Sequence, residues 1–287
     1  MKSRTRRGAT KGLGAKGLGA MKRPVMHQTA EPMGSFVQMI RMLSEEILEI
    51  IEVPPSWFPL VYDRKDQAAL SNIEQERFLC AFNTLAANGT LGQFVKIHGE
   101  LHYHHGTQRF LPWHRVYLFL LDQALKAVHP EVSIPYWNWT AASEQSFPGW
   151  LVSETPTVPM PSPLAPIVVN RSPGSPADLA TIVGSTPTVL AQADFGSFTG
   201  SLEGIHNMVH VWVGGGMSFI PTAPADPIFW MHHCNIDRLW ATWQTGHGGL
   251  NPNLPGPPSS PGSAVMDPWS YLESDTRSIS VLGYQYV

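Results

Sequence analysis

Nine of the twelve histidines fall into two groups along the chain, and their number and spacing are typical of a metal site. The first group lies within residues 98–114 and the second within residues 206–233. His206 and His210 are four residues apart, so on a helix both side chains would project from one face. Imidazole binds copper, zinc, iron and nickel, so the residue type predicts a metal centre without choosing the metal.

The kind of ligand narrows the choice of metal. Zinc usually takes four ligands, which often include a cysteine or a carboxylate. Two groups that can each supply three neutral imidazoles, with no acid ligand nearby, indicate copper instead. Such sites also leave each ion a free position for dioxygen. A zinc or purely structural metal site is the alternative.

The elements that hold these histidines are predicted to be helices, because apolar residues recur around them at helical intervals. His114 and His233 lie just inside helices that Pro112 and Pro227 can open. The predicted helices cover residues 71–87, 91–99, 112–128, 202–213 and 227–244. Residues 148–190 are rich in Pro, Ser and Thr and predict a long loop with at most one short helix. The expected fold is mainly α, a four-helix bundle core that holds the metal pair, with long loops and a few short strands.

Charge divides the chain into a basic start and an acidic body. Residues 1–23 hold eight of the 19 Lys and Arg and no acid, which leaves 11 cations against 22 acids in the remainder. We predict a disordered basic tail over 1–34, a helical extension over 35–66 with a helix at 35–53, and a copper-binding domain over 67–287. A basic tail on an acidic body does not make one nucleic-acid-binding surface.

The sequence gives no sign of membrane insertion or export. No apolar run is long enough to span a bilayer, so no transmembrane helix is expected. Arg6 and Arg7 are not followed by the hydrophobic stretch of an export signal, and we expect a cytoplasmic protein. The two cysteines, Cys80 and Cys234, are too few for a disulfide framework and are expected to be buried thiols, with a thiolate metal ligand as the alternative for Cys234, which follows a histidine pair.

Two longer motifs carry a family resemblance. Residues 105–115, HGTQRFLPWHR, resemble the copper A signature of the tyrosinase family. Residues 226–237, DPIFWMHHCNID, resemble its copper B signature, and residues 206–210, HNMVH, resemble the helix that precedes it. The similarity covers roughly residues 71–287. It implies a type-3 copper protein, in which two copper ions bound by six histidines use dioxygen as co-substrate.

The resemblance also assigns the ligands. It gives copper A the side chains of His98, His105 and His114, and copper B those of His206, His210 and His233. His105 is preferred to His104 because the family interval to the next ligand is nine residues. His233 is preferred to His232 because the family places this ligand four residues before the aspartate at Asp237.

The activity implied by the family is that of a phenol oxidase. Such an enzyme hydroxylates monophenols to o-diphenols and oxidises o-diphenols to o-quinones, as in melanin biosynthesis. A catechol or o-aminophenol oxidase without monophenolase activity is the first alternative, and a haemocyanin-like oxygen-binding protein is a weaker one. The expected partners are a phenolic small molecule and, as a candidate, a copper-delivery protein, with no nucleic acid and no membrane. The sequence does not indicate an oligomeric state.

Two residues bear on monophenolase activity. In related tyrosinases, an asparagine directly after the first copper B histidine and a nearby glutamate are proposed to hold a water that deprotonates the phenol. Asn207 occupies the asparagine position, and Glu203 is the candidate glutamate because residues i and i+4 share a helix face. The alternative for Glu203 is an acid that only favours the helix N-terminal region.

Other positions are expected to support the site. Ile220 matches the family position that overhangs the entrance, and Phe229 is expected to pack beneath the coppers. Arg115 and Asp237 follow their ligands on two helices and could join those helices by a charge-assisted hydrogen bond. The copper A signature usually ends in glutamate, whereas this chain has Asp122. The negative charge is kept but the side chain is shorter, so a local salt bridge at this position is not assured.

The two ends of the chain carry further expectations. Gly283-Tyr284-Gln285-Tyr286 resembles the Tyr-x-Tyr motif that closes the family's central domain. Residues 278–287 are therefore expected to include extended structure. In the N-terminal extension, Trp57 or Phe58 could cover the copper entrance, although a helix packed on the surface or at a dimer interface is the simpler interpretation.

Overall fold

The computed structural model describes residues 61–287. The predicted basic tail over 1–34, the predicted helix over 35–53 and the suggested cover by Trp57 or Phe58 lie outside the described residues. No helix among residues 61–287 is both long enough and apolar enough to cross a membrane.

The described part is mainly helical, as the sequence predicts. Its α-helices are α1 Asn72–Ala87, α2 Thr90–Glu100, α3 Phe110–Val128, α4 Pro176–Val183, α5 Thr186–Leu190, α6 Phe195–Val213 and α7 Pro227–Gly246. Its strands are β1 Tyr62–Arg64, β2 Thr157–Val158, β3 Ile167–Val168 and β4 Tyr284–Tyr286.

Local sequence explains where the principal helices begin. Ser71 caps α1 and forms a capping box with Glu74, so that two backbone N–H groups of the first turn are satisfied. Asp226 caps α7 by accepting a hydrogen bond from Ile228 N, and Pro227 occupies the first helical position. α6 begins at Phe195, seven residues before the predicted start, because an Asp194 cap offsets the weak helix propensity of the glycines that follow.

Four helices form the core that positions the histidines. α2 carries His98, α3 carries His114, α6 carries His206 and His210, and α7 carries His233. α3 packs against α1, α6 and α7, while α2 packs against α1 and the turn before α7. Between them lies a large aromatic core whose fully buried members include Trp113, Tyr117, Trp137, Trp139, Trp230 and Trp240.

A small parallel sheet joins the two ends of the described chain. Strand β1 pairs with β4 in the register Tyr62 to Tyr284 and Arg64 to Tyr286. Arg64 is fully buried and bonds Asp122 through Nε at 2.8 Å, so β1 is part of the helical domain. Arg64 lies three residues before the boundary predicted at residue 67, and its partners Asp122 and Asp237 are distant in sequence. The same contact gives Asp122 its salt bridge despite the shorter side chain.

Two other expectations are corrected. Residues 148–190 hold two short helices, α4 and α5, and the antiparallel pair β2–β3, where one short helix at most was predicted. The Ser175 capping box and the proline starts explain why these polar stretches form helices. Cys234 is buried as expected, but Cys80 is exposed because it lies on the outer face of α1.

Candidate dicopper centre

The helices bring the two histidine groups together into one centre. The rings of His114 and His233 stack with centroids 4.3 Å apart, and those of His105 and His206 are 6.5 Å apart. Phe229 is fully buried between the groups, with its ring centroid 4.1 Å from His233 and 5.1 Å from His98. Phe229 therefore lies against both histidine groups.

In the first group, backbone carbonyls fix which ring nitrogen is free. The Nδ1 atoms of His98, His105 and His114 lie 2.9, 3.1 and 2.9 Å from the carbonyl oxygens of Ile220, His102 and Phe110. A carbonyl oxygen only accepts, so each neutral ring must carry its proton on Nδ1 and present a lone pair on Nε2. Nε2 of His98 and of His114 is buried without a protein partner within residues 61–287. This donor set fits a metal ion.

In the second group the Nε2 atoms also converge, and two of the three rings are held at Nδ1, whereas Nδ1 of His233 has no partner within residues 61–287. Nε2 of His206 lies 3.0 Å from Nε2 of His233 and 2.9 Å from Nε2 of His210. Nδ1 of His210 donates to the Met217 carbonyl at 2.8 Å, and Nδ1 of His206 lies 3.0 Å from Asn207 Oδ1. Nitrogen lone pairs converging at this distance repel one another unless a cation lies between them. The second group therefore also fits a metal ion.

His232 also lies near the second group, and a hydrogen bond distinguishes it from His233. Its ring nitrogens approach His206 and His210 closely enough to suggest a ligand. However, Nε1 of Trp139 donates to its Nδ1 at 3.0 Å. Indole N–H is only a donor, so neutral His232 must carry its proton on Nε2 and has no free lone pair there. The geometry favours His233 as the third ligand.

His104 is the corresponding competitor in the first group. It lies close to the nitrogens of His98, His105 and His114 and is fully buried. Its ring stacks flat on Trp113, with centroids 3.7 Å apart and planes 9° apart. No described acceptor holds either ring nitrogen, so nothing fixes its lone pair toward the centre. His105, whose Nδ1–H is held by a carbonyl, is the better-oriented donor.

Burial keeps the imidazoles in the form that binds metals. Desolvation lowers the pKa of His105 and of His210 to about 4, and it lowers the pKa of His98, His114, His206 and His233 well below the usual value. Neighbouring imidazoles lower these pKa values further, because a second positive charge in the cluster is unfavourable. All six rings are therefore neutral at pH 7, as metal ligation requires.

A cavity of about 890 Å³ opens onto four of these imidazoles, those of His98, His105, His206 and His210. Glu203, Asn207 and Ile220 line it. Glu203 is buried and accepts a 2.7 Å hydrogen bond from the Gly106 N–H. Burial raises the pKa of Glu203 to about 7, although the Gly106 bond acts in the opposite direction. The alternative for Glu203, an acid that only favours the N-terminal region of the helix, does not by itself explain why its carboxyl group faces the cavity.

A buried ionic network supports the helices behind the centre. Arg115 Nε lies 2.5 Å from Asp237 Oδ1, so the expected bond between α3 and α7 is present. Asp237 also accepts hydrogen bonds from the hydroxyl groups of Tyr284 and Tyr286, at 2.6 Å each. The Tyr-x-Tyr strand therefore contacts the helix that carries His233. No local pattern indicates a role for Arg64, which also contacts Asp237, or for Trp139, which donates to His232.

Comparison with known proteins agrees with this geometry. The model of the common central domain of tyrosinase matches residues 88–173 and 166–246. The tyrosinase of Streptomyces antibioticus is 34% identical over 268 residues, which are 77% of this chain and 96% of that protein. Similar solved structures include an octopus haemocyanin unit, with a TM-score of 0.66 and 25% identity over 79% of this chain and 68% of that one. Burkholderia thailandensis tyrosinase has a TM-score of 0.65 and 20% identity over 80% and 73% of the two chains. The chain belongs to the tyrosinase family of type-3 dicopper enzymes.

Proposed function

We propose that this protein is a phenol oxidase that hydroxylates monophenols to o-diphenols and oxidises o-diphenols to o-quinones with dioxygen. One observation carries the proposal. Two groups of three imidazoles meet at one centre, and His98, His105, His206 and His210 line a cavity that also holds a buried carboxylate, Glu203. The name of the Streptomyces antibioticus relative, tyrosinase, supports the same activity.

The six imidazoles would hold the metal pair, His98, His105 and His114 on one ion and His206, His210 and His233 on the other. When bound, the two coppers supply the redox chemistry that uses dioxygen to oxidise the phenol ring. The chain keeps the donors neutral by burial and orients five of the six, all but His233, by hydrogen bonds at Nδ1. Phe229 and the surrounding tryptophans exclude water from the side of the centre away from the cavity.

Glu203 is the proposed base for the phenol proton. A group whose pKa is about 7 is partly ionised at neutral pH and can accept a proton there. One carboxylate oxygen, Oε1, accepts from Gly106, and within residues 61–287 Oε2 has no hydrogen-bond donor. The Gly106 bond orients the carboxylate toward the cavity, so a phenol hydroxyl or a bridging water can reach Oε2.

One contact favours the alternative of a catechol oxidase. Asn207 Oδ1 bonds His206 Nδ1, and Glu203 bonds Gly106, so neither side chain uses the other as a partner. If the asparagine serves only to orient His206, the chain has lost the pairing that is proposed to deprotonate monophenols. Catechols lose their first proton more readily and depend less on such a base.

The test compares tyrosine with catechol on purified, copper-loaded protein, by oxygen uptake and quinone formation. Turnover of both substrates is the expected result, with one oxygen atom entering the tyrosine ring and the other leaving as water. Turnover of catechol alone would establish the alternative. A protein that holds two copper ions by metal analysis and oxidises neither substrate would refute both and favour an oxygen-binding role.

A further inference from the structure

We infer that Asp267 raises the affinity of the first histidine group for its metal ion, because it neutralises the buried charge of Arg109 beside that group. The inference concerns how tightly one of the two ions is held, and it does not depend on which phenol the protein oxidises. Asp267 follows every histidine ligand in the sequence and belongs to none of the motifs that indicate the metal site.

Asp267 joins the segment after α7 to the start of α3. It is 2% exposed, and its Oδ2 accepts a hydrogen bond from Nη2 of Arg109 at 3.3 Å. Its backbone carbonyl accepts a 2.6 Å hydrogen bond from Nε1 of Trp113. Arg109 is fully buried and donates to two further carbonyls of the same segment, those of Ser260 and Ser263. One residue therefore contacts both the arginine before α3 and the indole in its first turn.

Trp113 places these contacts directly next to the first histidine group. Its ring centroid lies 5.1 Å from that of His114 and 6.1 Å from that of His98. It also stacks on His104, whose ring centroid is 4.3 Å from that of His105. A single indole thus separates Asp267 from the rings of the first group.

The second group is supported by other contacts. Among the described residues, its rings make no aromatic contact with Trp113. Instead, Phe110 lies 4.8 Å from His206, and Phe229 lies 4.1 Å from His233, measured between ring centroids. The support that reaches the histidines through Trp113 is therefore specific to the first group.

The charges of Arg109 and Asp267 oppose each other at this place. Cζ of Arg109 lies 5.3 Å from the ring centroid of Tyr103, two residues before His105. Burial raises the pKa of Tyr103, while Arg109 lowers that pKa and Asp267 raises it, so both charges act here with opposite signs. The metal ion of the first group is itself a cation, and an uncompensated arginine beside it would repel it. Asp267 removes this repulsion.

The experiment measures the affinity of each histidine group for Cu²⁺ separately. In His210→Phe only the first group keeps three ligands, and in His98→Phe only the second group does. Cu²⁺ is titrated into each metal-free variant in competition with a chelator of known copper affinity. Asp267→Asn keeps the size of the side chain and an acceptor oxygen but removes the negative charge. It should lower the affinity about tenfold in the His210→Phe background and less than about twofold in the His98→Phe background.

Two further variants separate charge from packing. Arg109→Gln removes the positive charge, so it should not lower the affinity of the first group. The double variant Arg109→Gln/Asp267→Asn carries neither charge and should bind Cu²⁺ within about twofold of the parent background. The double variant also serves as the test if an unpaired buried charge prevents a single variant from folding. A role in packing alone would instead lower the affinity in all three variants.

The matched control is Asp122→Asn, which changes another buried aspartate that is paired with an arginine. Asp122 lies about two helical turns beyond His114, and Arg64 keeps Asp237 as a second partner. This variant should unfold more easily but should keep the copper affinity of the first group within about twofold. Equal losses at both groups in Asp267→Asn, no loss at either, or a persistent loss in the double variant would overturn the inference and leave the proposed function intact. A wild-type protein that binds no copper would overturn both.

Discussion

Glu203 on α6 accepts a hydrogen bond from the backbone N–H of Gly106, the residue that directly follows His105. This 2.7 Å contact ties the helix that carries His206 and His210 to the loop that carries a ligand of the other group. A single buried carboxyl group therefore lies against both halves of the centre. Its protonation state can affect the substrate without any movement of the helices.

Replacing Glu203 by glutamine should depress hydroxylation of tyrosine about 10²-fold, in the range typical of a lost general base. Oxidation of a catechol should fall much less. Because burial raises the pKa of Glu203 to about 7, the carboxylate is lost as the pH falls below 7. Tyrosine hydroxylation by the wild type should therefore rise through pH 7, and the variant should lose this rise.

Steady-state rates for both substrates between pH 5.5 and pH 8.5 measure this effect. Glu76→Gln, an exposed carboxyl group on α1, is the control and should leave both pH profiles unchanged. An equal loss of both activities in the Glu203 variant would contradict its assignment as the phenol base.

Replacing His233 by glutamine should reduce the copper content from two ions to one per chain. His232→Gln should keep both ions, because the glutamine oxygen can still accept from Trp139 and the native Nε2 carries a proton. Atomic absorption on the purified variants measures the copper content directly. Copper loss in the His232 variant equal to that in the His233 variant would show that the tautomer argument is wrong.

Replacing His104 by phenylalanine should also keep both copper ions, since a phenyl ring can maintain the stack on Trp113. His105→Phe should lose the ion of the first group, because Nε2 of His105 is the donor that the His102 carbonyl orients. Copper analysis, with thermal unfolding of the apo-proteins as a check on folding, distinguishes the two variants. Retention of both copper ions by His105→Phe would contradict the assignment of His105 as the ligand and favour His104.

Replacing Arg64 by methionine should lower the free energy of unfolding by about 3–5 kcal/mol, as expected when a buried ion pair loses one partner. The change leaves Asp122 without its arginine and removes one of the two arginines that contact Asp237. Arg77→Met is the matched control, because the Arg77–Glu131 pair is on the surface and should contribute about 0–1 kcal/mol. Denaturant unfolding of the apo-proteins gives both values, and similar losses would contradict a special role for Arg64.

The contact of Arg64 with Asp122 determines where the N-terminal extension should be cut in a deletion experiment. Deleting residues 1–66 would ask whether Trp57 or Phe58 covers the entrance, but it would also remove Arg64 and strand β1. The cut should end at residue 60, so that every described residue remains. A gain in phenol oxidation would then support the cover, and unchanged activity would refute it.

The sequence predicted the centre better than its surroundings. The histidine intervals and the proline-led helices identified the metal-binding groups because their spacing is local and periodic. The atoms that orient the rings were not predictable in this way. The carbonyl of Met217 belongs to a short 3₁₀-helix and that of Ile220 to the turn after it, and their positions depend on how this segment packs against α2 and α6.

Long-range polar contacts were the other omission. Arg64 lies 58 residues from Asp122 and 173 residues from Asp237, and no local pattern relates them. The start of α6 was missed because glycines at 196 and 200 weaken the helical signal, while the Asp194 cap that offsets them is a single residue. Cys80 is exposed rather than buried, because the apolar periodicity of a helix does not specify which edge of its apolar face packs against the core.

The parallel pairing of β1 with β4 has a consequence for the order in which the centre is built. During synthesis, Asp237 emerges from the ribosome 47 residues before Tyr284 and 49 before Tyr286. The hydroxyl groups of these two tyrosines donate hydrogen bonds to the Asp237 carboxylate. Until those tyrosines arrive, the nascent chain has every histidine ligand but lacks two of the contacts that hold the carboxylate one turn after His233. The contacts of Asp237 are thus complete only after residue 286 has been synthesised, so the final positioning of this carboxylate is a late event.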